Sequence, residues 1–278
     1  MATWEIAAVQ MDCRLGDRPA NLEVIRSRLH TAAREGARLV IFPECILTGY
    51  AFSSKAEAMP HAEPIPGLST EALLTDCRAL NVWAVVGLLE RDGDRLFNAA
   101  ALLGPSGVVA NYRKVHLPCL GVDRFTTPGD RPFAVHELGD LGGLRVGINI
   151  CYDCSFPESS RVLSLLGADL IALPTNWPPG AARNPKFVVS TRALENHVYY
   201  AAVNRVGSER GFSFIGQSRI ADCTGDLLAA TDGKEETILY ATIDPERARN
   251  KRIVHIPGEY EVNRMADRRP GLYGPVCG

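Results

Sequence analysis

The chain has 278 residues, 46% of them hydrophobic and 22% charged, with a formal net charge of −2. That balance is ordinary for a globular protein, and no Lys/Arg run or acidic tail points to a nucleic-acid partner. No window approaches the roughly 20 apolar residues of a membrane span. The start, MATWEIAAVQMD, lacks the basic region and apolar core of a signal peptide, so a cytoplasmic protein without membrane partners is expected.

The first predicted strand covers residues 6–10. A helix over 21–35 follows, with Leu22, Ile25, Leu29 and Ala33 at helical spacing. The next strand, 39–42, runs into Pro43 and Glu44. A helix over 70–81 leads to strands at 82–89, 98–103 and 108–112. The last of these enters YRKVHLP, which puts Lys114 just past a strand end. Strand 144–150 then runs straight into Cys151, and a helix over 156–166 follows. Strand 170–173, a helix over 185–197 and strands at 199–204 and 214–221 complete the pattern. Several strands are near-continuous apolar runs, as expected when both faces of a sheet are covered. No Gly, Ser or Pro linker divides the chain, so residues 1–278 read as one domain.

GARLVIFP, beginning at Gly36, resembles GADLIALP, beginning at Gly167, and EIAAVQMD loosely parallels RVGINICYD. The chain therefore reads as two related βαβ halves. The repeat places Glu44, Lys114 and Cys151 at strand ends, where α/β folds assemble ligand sites. A thiol at a strand-to-helix turn is well placed to be held as a thiolate. A buried glutamate of raised pKa can take the thiol proton and later give it to a leaving amine. A lysine ammonium and the N–H of Tyr152 can stabilise the oxyanion that forms.

Eight cysteines are scattered along the chain, as expected of free thiols buried as small hydrophobes. Cys151-x-x-Cys154 raises the alternative of a redox pair or half a zinc site. No second CxxC and no close histidine pair accompanies it. Cys154 is better read as a small residue behind the nucleophile.

FPE at 42–44, YRKVHLP at 112–118 and GINICYD at 147–153 resemble the three catalytic blocks of the nitrilase superfamily, the carbon–nitrogen hydrolases. The resemblance continues through FPESSRVLSLLGADLIALPTNWP, RALENHVYYAAVNRVG, FIGQSRIADCTGDLLA and RRPGLYG. It implies a four-layer αββα sandwich of two pseudo-symmetric halves and a homo-oligomer, a dimer or a multiple of dimers. It implies Glu44 as general base, Lys114 as oxyanion stabiliser and Cys151 as nucleophile, with no cofactor and no metal. Many relatives carry a further glutamate several residues after the lysine. No glutamate lies between Lys114 and Glu137 here, and Asp123 is the nearest acid. Asp123 is therefore expected to hold Lys114 or assist Glu44. The Cys-Tyr-Asp triplet at 151–153 resembles the amidase-like branches. The arginine that carboxylate-binding branches carry three or four residues after the nucleophile is replaced by Cys154 and Ser155. A guanidinium fork is missing there, although Arg124 or Arg183 could supply charge from another loop. Candidate substrate-pocket residues are Tyr50, Tyr152, Asn176 and Trp177. The expected reaction is hydrolysis of a small amide to a carboxylic acid and ammonia through a cysteine thioester. Hydrolysis of an N-carbamoyl amine or a small nitrile is the alternative.

Overall fold

A computed structural model of the protein describes residues 3–139 and 143–277. The elements in chain order are β1 (Trp4–Gln10), α1 (Arg18–Arg34), β2 (Leu39–Ile41), α2 (Lys55–Ala58), α3 (Leu68–Leu80), β3 (Trp83–Asp92), β4 (Arg95–Gly104) and β5 (Gly107–Arg113). There follow β6 (Val135–Leu138), β7 (Leu144–Ile148), α4 (Pro157–Leu165), β8 (Leu170–Thr175), α5 (Val189–Asn196) and β9 (Tyr199–Asn204). A small hairpin of β10 (Ser208–Glu209) and β11 (Phe212–Ser213) precedes β12 (Arg219–Ala221), β13 (Leu227–Ala230) and β14 (Thr237–Ile243).

Two six-stranded sheets result, ordered β14-β1-β2-β3-β4-β5 and β13-β12-β9-β8-β7-β6. Each has a parallel core, β1/β2/β3 or β7/β8/β9, flanked by antiparallel strands. Alternation along the strands separates the layers. Ile6 and Ala8 join Val146, Ala172 and Ala201 in the apolar layer between the sheets. Ala7 and Val9 face outward and pack with Ile25 and Leu29 of α1 and Leu73 of α3. Leu163 of α4 and Val189 of α5 cover the second sheet. The result is the four-layer αββα sandwich.

The two halves repeat down to individual backbone bonds. Arg38 N–H donates to Glu5 O and Asp169 N–H to Arg145 O, each at 2.8 Å. Trp83 N–H donates to Arg38 O and Tyr199 N–H to Asp169 O, again at 2.8 Å. Gly36 and Gly167, which end the corresponding helical segments, share φ of 92°. That left-handed conformation favours glycine. In this register Thr175 occupies in the second half the place of Glu44 in the first.

Three expectations need correction. Of the strand expected over 214–221, only Arg219–Ala221 forms. Gly216 and Gln217 adopt positive φ, and Asn204 and Gln10 side chains take backbone groups a strand would use. The strand expected over 144–150 stops at Ile148. The helix expected over 185–197 opens with a π turn, Asn184–Val188, and is α-helical only over Val189–Asn196. Strands β6, β13 and β14, not anticipated from the pattern, complete the sheets as edge strands. Among the described residues no helix is long and apolar enough to cross a membrane.

Candidate active site

Glu44 follows β2 in a turn that β3 presses closely. A Cβ added to Gly87 on β3 would stand 2.3 Å from Pro43 O and 2.7 Å from Glu44 Cα. Only a residue without a side chain fits there. Lys114 is the first residue past β5, and its N–H donates to Asn98 O of β4 at 2.8 Å. Asp123 lies in a 3₁₀ turn, Gly121–Arg124.

These separate pieces meet inside the molecule. Lys114 Nζ donates to Glu44 Oε1 at 2.7 Å and to Asp123 Oδ2 at 2.5 Å, and the three side chains are wholly buried. Asn98 Nδ2 donates to Glu44 Oε1 at 2.7 Å and to Asp123 Oδ1 at 2.8 Å. Nothing in the sequence blocks singled out Asn98; a lone asparagine in the apolar run of β4 is its only signal. Glu44 Oε2 is buried and accepts no hydrogen bond. Arg124, which could have paired with Asp123, instead donates to Gly121 O and Phe52 O.

Cys151 begins a five-residue 3₁₀ turn, Cys151–Ser155, with φ of 46°, and retains 6% exposure. Helix α4 starts only at Pro157. The turn is held by Asp153, which is fully buried. Asp153 accepts from Ile150 N–H at 2.8 Å, His116 N–H at 3.0 Å and Tyr112 O–H at 2.7 Å, and lies 2.7 Å from His116 Nδ1. Tyr112 and His116 flank Lys114 in sequence, so Asp153 ties the lysine's segment to the nucleophile's turn. His116 also stacks on Phe156, with ring centroids 3.7 Å apart.

The electrostatics follow from burial. Desolvation pushes the Glu44 carboxyl up from its ordinary range; Asp123 adds to this, while Lys114 and Asn98 partly offset it. Burial opposes the charge on Lys114, but Asp123 and Glu44 outweigh it and hold the ammonium well above the usual lysine range. Burial raises the Cys151 thiol well above its ordinary value and Glu44 adds to the rise. The charge of Lys114, the Thr175 hydroxyl and the Asn176 N–H act the other way. The expectation of a preformed thiolate at a helix end therefore needs correction. Burial works against a thiolate at Cys151, and the α-helix that would favour one starts only at Pro157.

The four pocket candidates have different surroundings. Asn176 directs its N–H at the Cys151 sulfur, and both polar atoms of its buried side chain lack a hydrogen-bond partner. Trp177 is buried, and its indole N–H is likewise unpartnered. Tyr50 lies behind Asp123, its hydroxyl already 2.8 Å from Oδ2. Tyr152 is 38% exposed and packs edge-on against Phe156. Arg183 is exposed at the start of the π turn. Cys154 is buried, with its thiol raised to about 12 by burial. Cys151 and Cys154 are both free thiols. No group of three His, Cys, Asp or Glu side chains that could hold a metal ion occurs among the described residues.

A buried arginine braces one flank of the site. Arg205 donates to Asp12 Oδ1 at 2.7 and 2.9 Å and to Glu209 Oε1 at 2.6 Å. Glu209 Oε2 accepts from Tyr50 N–H and Ala51 N–H at 2.9 and 2.8 Å. The segment after β1, the end of β9 and the Tyr50 loop are thus held together.

The arrangement offers a base, a cation and a thiol converging on one buried site. Residues 5–253 match the family model described as carbon-nitrogen hydrolase. The chain is 41% identical over 251 residues to a nitrilase of Pyrococcus abyssi, covering 90% of this chain and 93% of that one. It is 32% identical over 271 residues to an (R)-stereoselective amidase of a Pseudomonas species, covering 97% and 93%. Among solved structures, an amidase from Nesterenkonia sp. superposes with a TM-score of 0.80 at 25% identity, covering 98% of this chain and 96% of that one. A mutant of the same amidase, also 25% identical, shows covalent addition of the acetamide moiety of fluoroacetamide at the active-site cysteine.

Proposed function

The chain belongs to the carbon–nitrogen hydrolase family, the nitrilase superfamily, and from that premise we propose that it hydrolyses a small amide to a carboxylic acid and ammonia through a thioester on Cys151. One observation carries the assignment of roles. Lys114 bridges Glu44 and Asp123 at 2.7 and 2.5 Å in a fully buried cluster, and the second oxygen of Glu44 is left without a partner. The lysine is thereby held charged beside both acids, and Glu44 keeps one oxygen free to take up a proton.

Glu44 takes the proton of the Cys151 thiol, and the sulfur attacks the carbonyl carbon. Lys114 and the backbone N–H of Tyr152 stabilise the oxyanion. Glu44 gives its proton to the departing nitrogen as the C–N bond breaks. It then takes a proton from water, whose oxygen attacks the thioester; the acid departs and the sulfur regains a proton. Asp123 holds Lys114 in place. Asn176 and Trp177 offer unsatisfied polar atoms to the substrate. The site has the ingredients for this sequence without a cofactor.

The resemblance of Cys151-Tyr152-Asp153 to the amidase-like branches and the amidases among the relatives and solved structures support the amide reading. The 41% identity to a nitrilase favours nitrile hydrolysis as the second reading. A panel of short amides, N-carbamoyl amines and nitriles, followed by ammonia release, separates them. Turnover of amides is the expected result; turnover of nitriles alone would reject the amide reading.

A further inference from the structure

Asn98 projects from β4 between the two carboxylates of the site. Its Nδ2 donates to Glu44 Oε1 at 2.7 Å and to Asp123 Oδ1 at 2.8 Å, while its Oδ1 lies 3.4 Å from the thiol of Cys45, which donates to it. The opposite amide orientation would set Oδ1 against two carboxylate oxygens, so the donors face the acids. Both N–H groups are thereby used. Lys114 Nζ donates to the same Glu44 Oε1 at 2.7 Å. One oxygen of Glu44 accepts two hydrogen bonds, and the other, equally buried, accepts none.

We propose that Asn98 is a positioning residue that, with Lys114, commits Oε1 of Glu44 and leaves Oε2 as the atom through which every proton transfer runs. The terminal torsion of a glutamate is broad and nearly two-fold. Two donors on one oxygen lock that torsion and make the free oxygen the better proton acceptor. The thiol proton of Cys151 moves to Oε2, and the electron pair left on sulfur forms the C–S bond. The carbonyl π pair moves onto oxygen. The proton on Oε2 then passes to the leaving nitrogen as the C–N bond breaks, and water supplies the proton for the second half.

The inference rests on the hydrolase reading above. The test compares wild type with Asn98→Ala and Asn98→Asp, measuring ammonia release from a short primary amide between pH 5 and 9. Melting curves establish that each variant is folded. Asn98→Ala is expected to lower kcat by up to about 100-fold, the scale of a displaced reacting group, with KM within about twofold. The acidic limb of kcat/KM should move to higher pH, because the anionic form of Glu44 loses a donor. Asn98→Asp, isosteric but an acceptor, should move it further. The pH dependence of Cys151 alkylation by iodoacetamide, followed on that cysteine by mass spectrometry, should shift in the same direction without needing turnover. Folded variants with wild-type kcat and an unmoved limb would overturn the clamp, as would a loss confined to KM. If Asn98→Ala does not fold, an unmoved limb in Asn98→Asp overturns it alone. A wild type that turns over no amide, N-carbamoyl amine or nitrile rejects the hydrolase reading instead, and the alkylation measurement still decides the clamp.

Discussion

At Cys151 the surroundings oppose ionisation, since burial and the nearby Glu44 both favour the protonated thiol. On the proposed mechanism the nucleophile is made during the reaction by proton transfer, and the pH profile should report the base. Glu44 is raised above the ordinary glutamate value, first by burial. It works as a base only when unprotonated, so kcat/KM should fall as pH drops through a value above 4.5. Lys114, held above 10.5, stays charged throughout and should contribute no alkaline limb below that pH. A rate profile flat to pH 4, or an alkaline limb below pH 9, would contradict these assignments. Cys151→Ala should abolish turnover, with a melting temperature close to wild type, since it removes one sulfur at the edge of the core. Glu44, Lys114 and Cys151 were legible in sequence because each sits in a block with a recognisable neighbourhood. Asn98 was not, because an isolated polar residue in an apolar strand carries no pattern; its role appears only when β4 is placed beside β5 and the Glu44 turn. Asp153 was read only within the triplet that marks the amidase-like branches; that its side chain turns into the protein and ties Tyr112, His116 and Ile150 together has no signal in the sequence.

Between elements, Asp153 and Gly87 set the spacing of the site. Three N–H or O–H donors point at the Asp153 carboxylate. Asp153→Asn must turn its NH2 group toward one or more of them, leaving buried donors unsatisfied at about 1–3 kcal/mol. The variant should melt earlier and alkylate more slowly at Cys151, a combination that a simple loss of stability would not give. Gly87→Ala brings a methyl group to 2.3 Å from Pro43 O. The β2 turn must shift, which should cost about 1–3 kcal/mol by overpacking and lower kcat through Glu44; unchanged kinetics would show that the turn relaxes elsewhere. The buried parallel strands were readable as apolar runs. The edge strands β13 and β14 were not, because they alternate weakly and are only partly covered. The error at 214–218 came from the same source: apolar content without knowledge of which backbone groups Gln10 and Asn204 would claim.

Across the whole molecule, the internal repeat was legible from two short matches, and the structure carries it to corresponding hydrogen bonds. The pairing of sheet against sheet was expected only from the family resemblance, because no local period encodes which faces meet. Arg205 is the clearest long-range brace. Replacing it with methionine leaves Glu209 buried without its charge partner. Breaking such a pair costs about 3–5 kcal/mol. A denaturant midpoint unchanged in Arg205→Met would show that Asp12 and Glu209 are satisfied otherwise. The pairing of β14 with β1 bears on how the chain is made. On the ribosome, β1 emerges long before the strand that covers its outer edge, which ends at Ile243. At about 5–20 residues per second, that edge waits roughly 10–50 s for its partner. A nascent chain in this window presents one edge of Trp4–Gln10 with its outward N–H and C=O groups unpaired. Translation arrest or truncation before residue 237 should therefore yield aggregates seeded at β1 rather than a folded half-molecule.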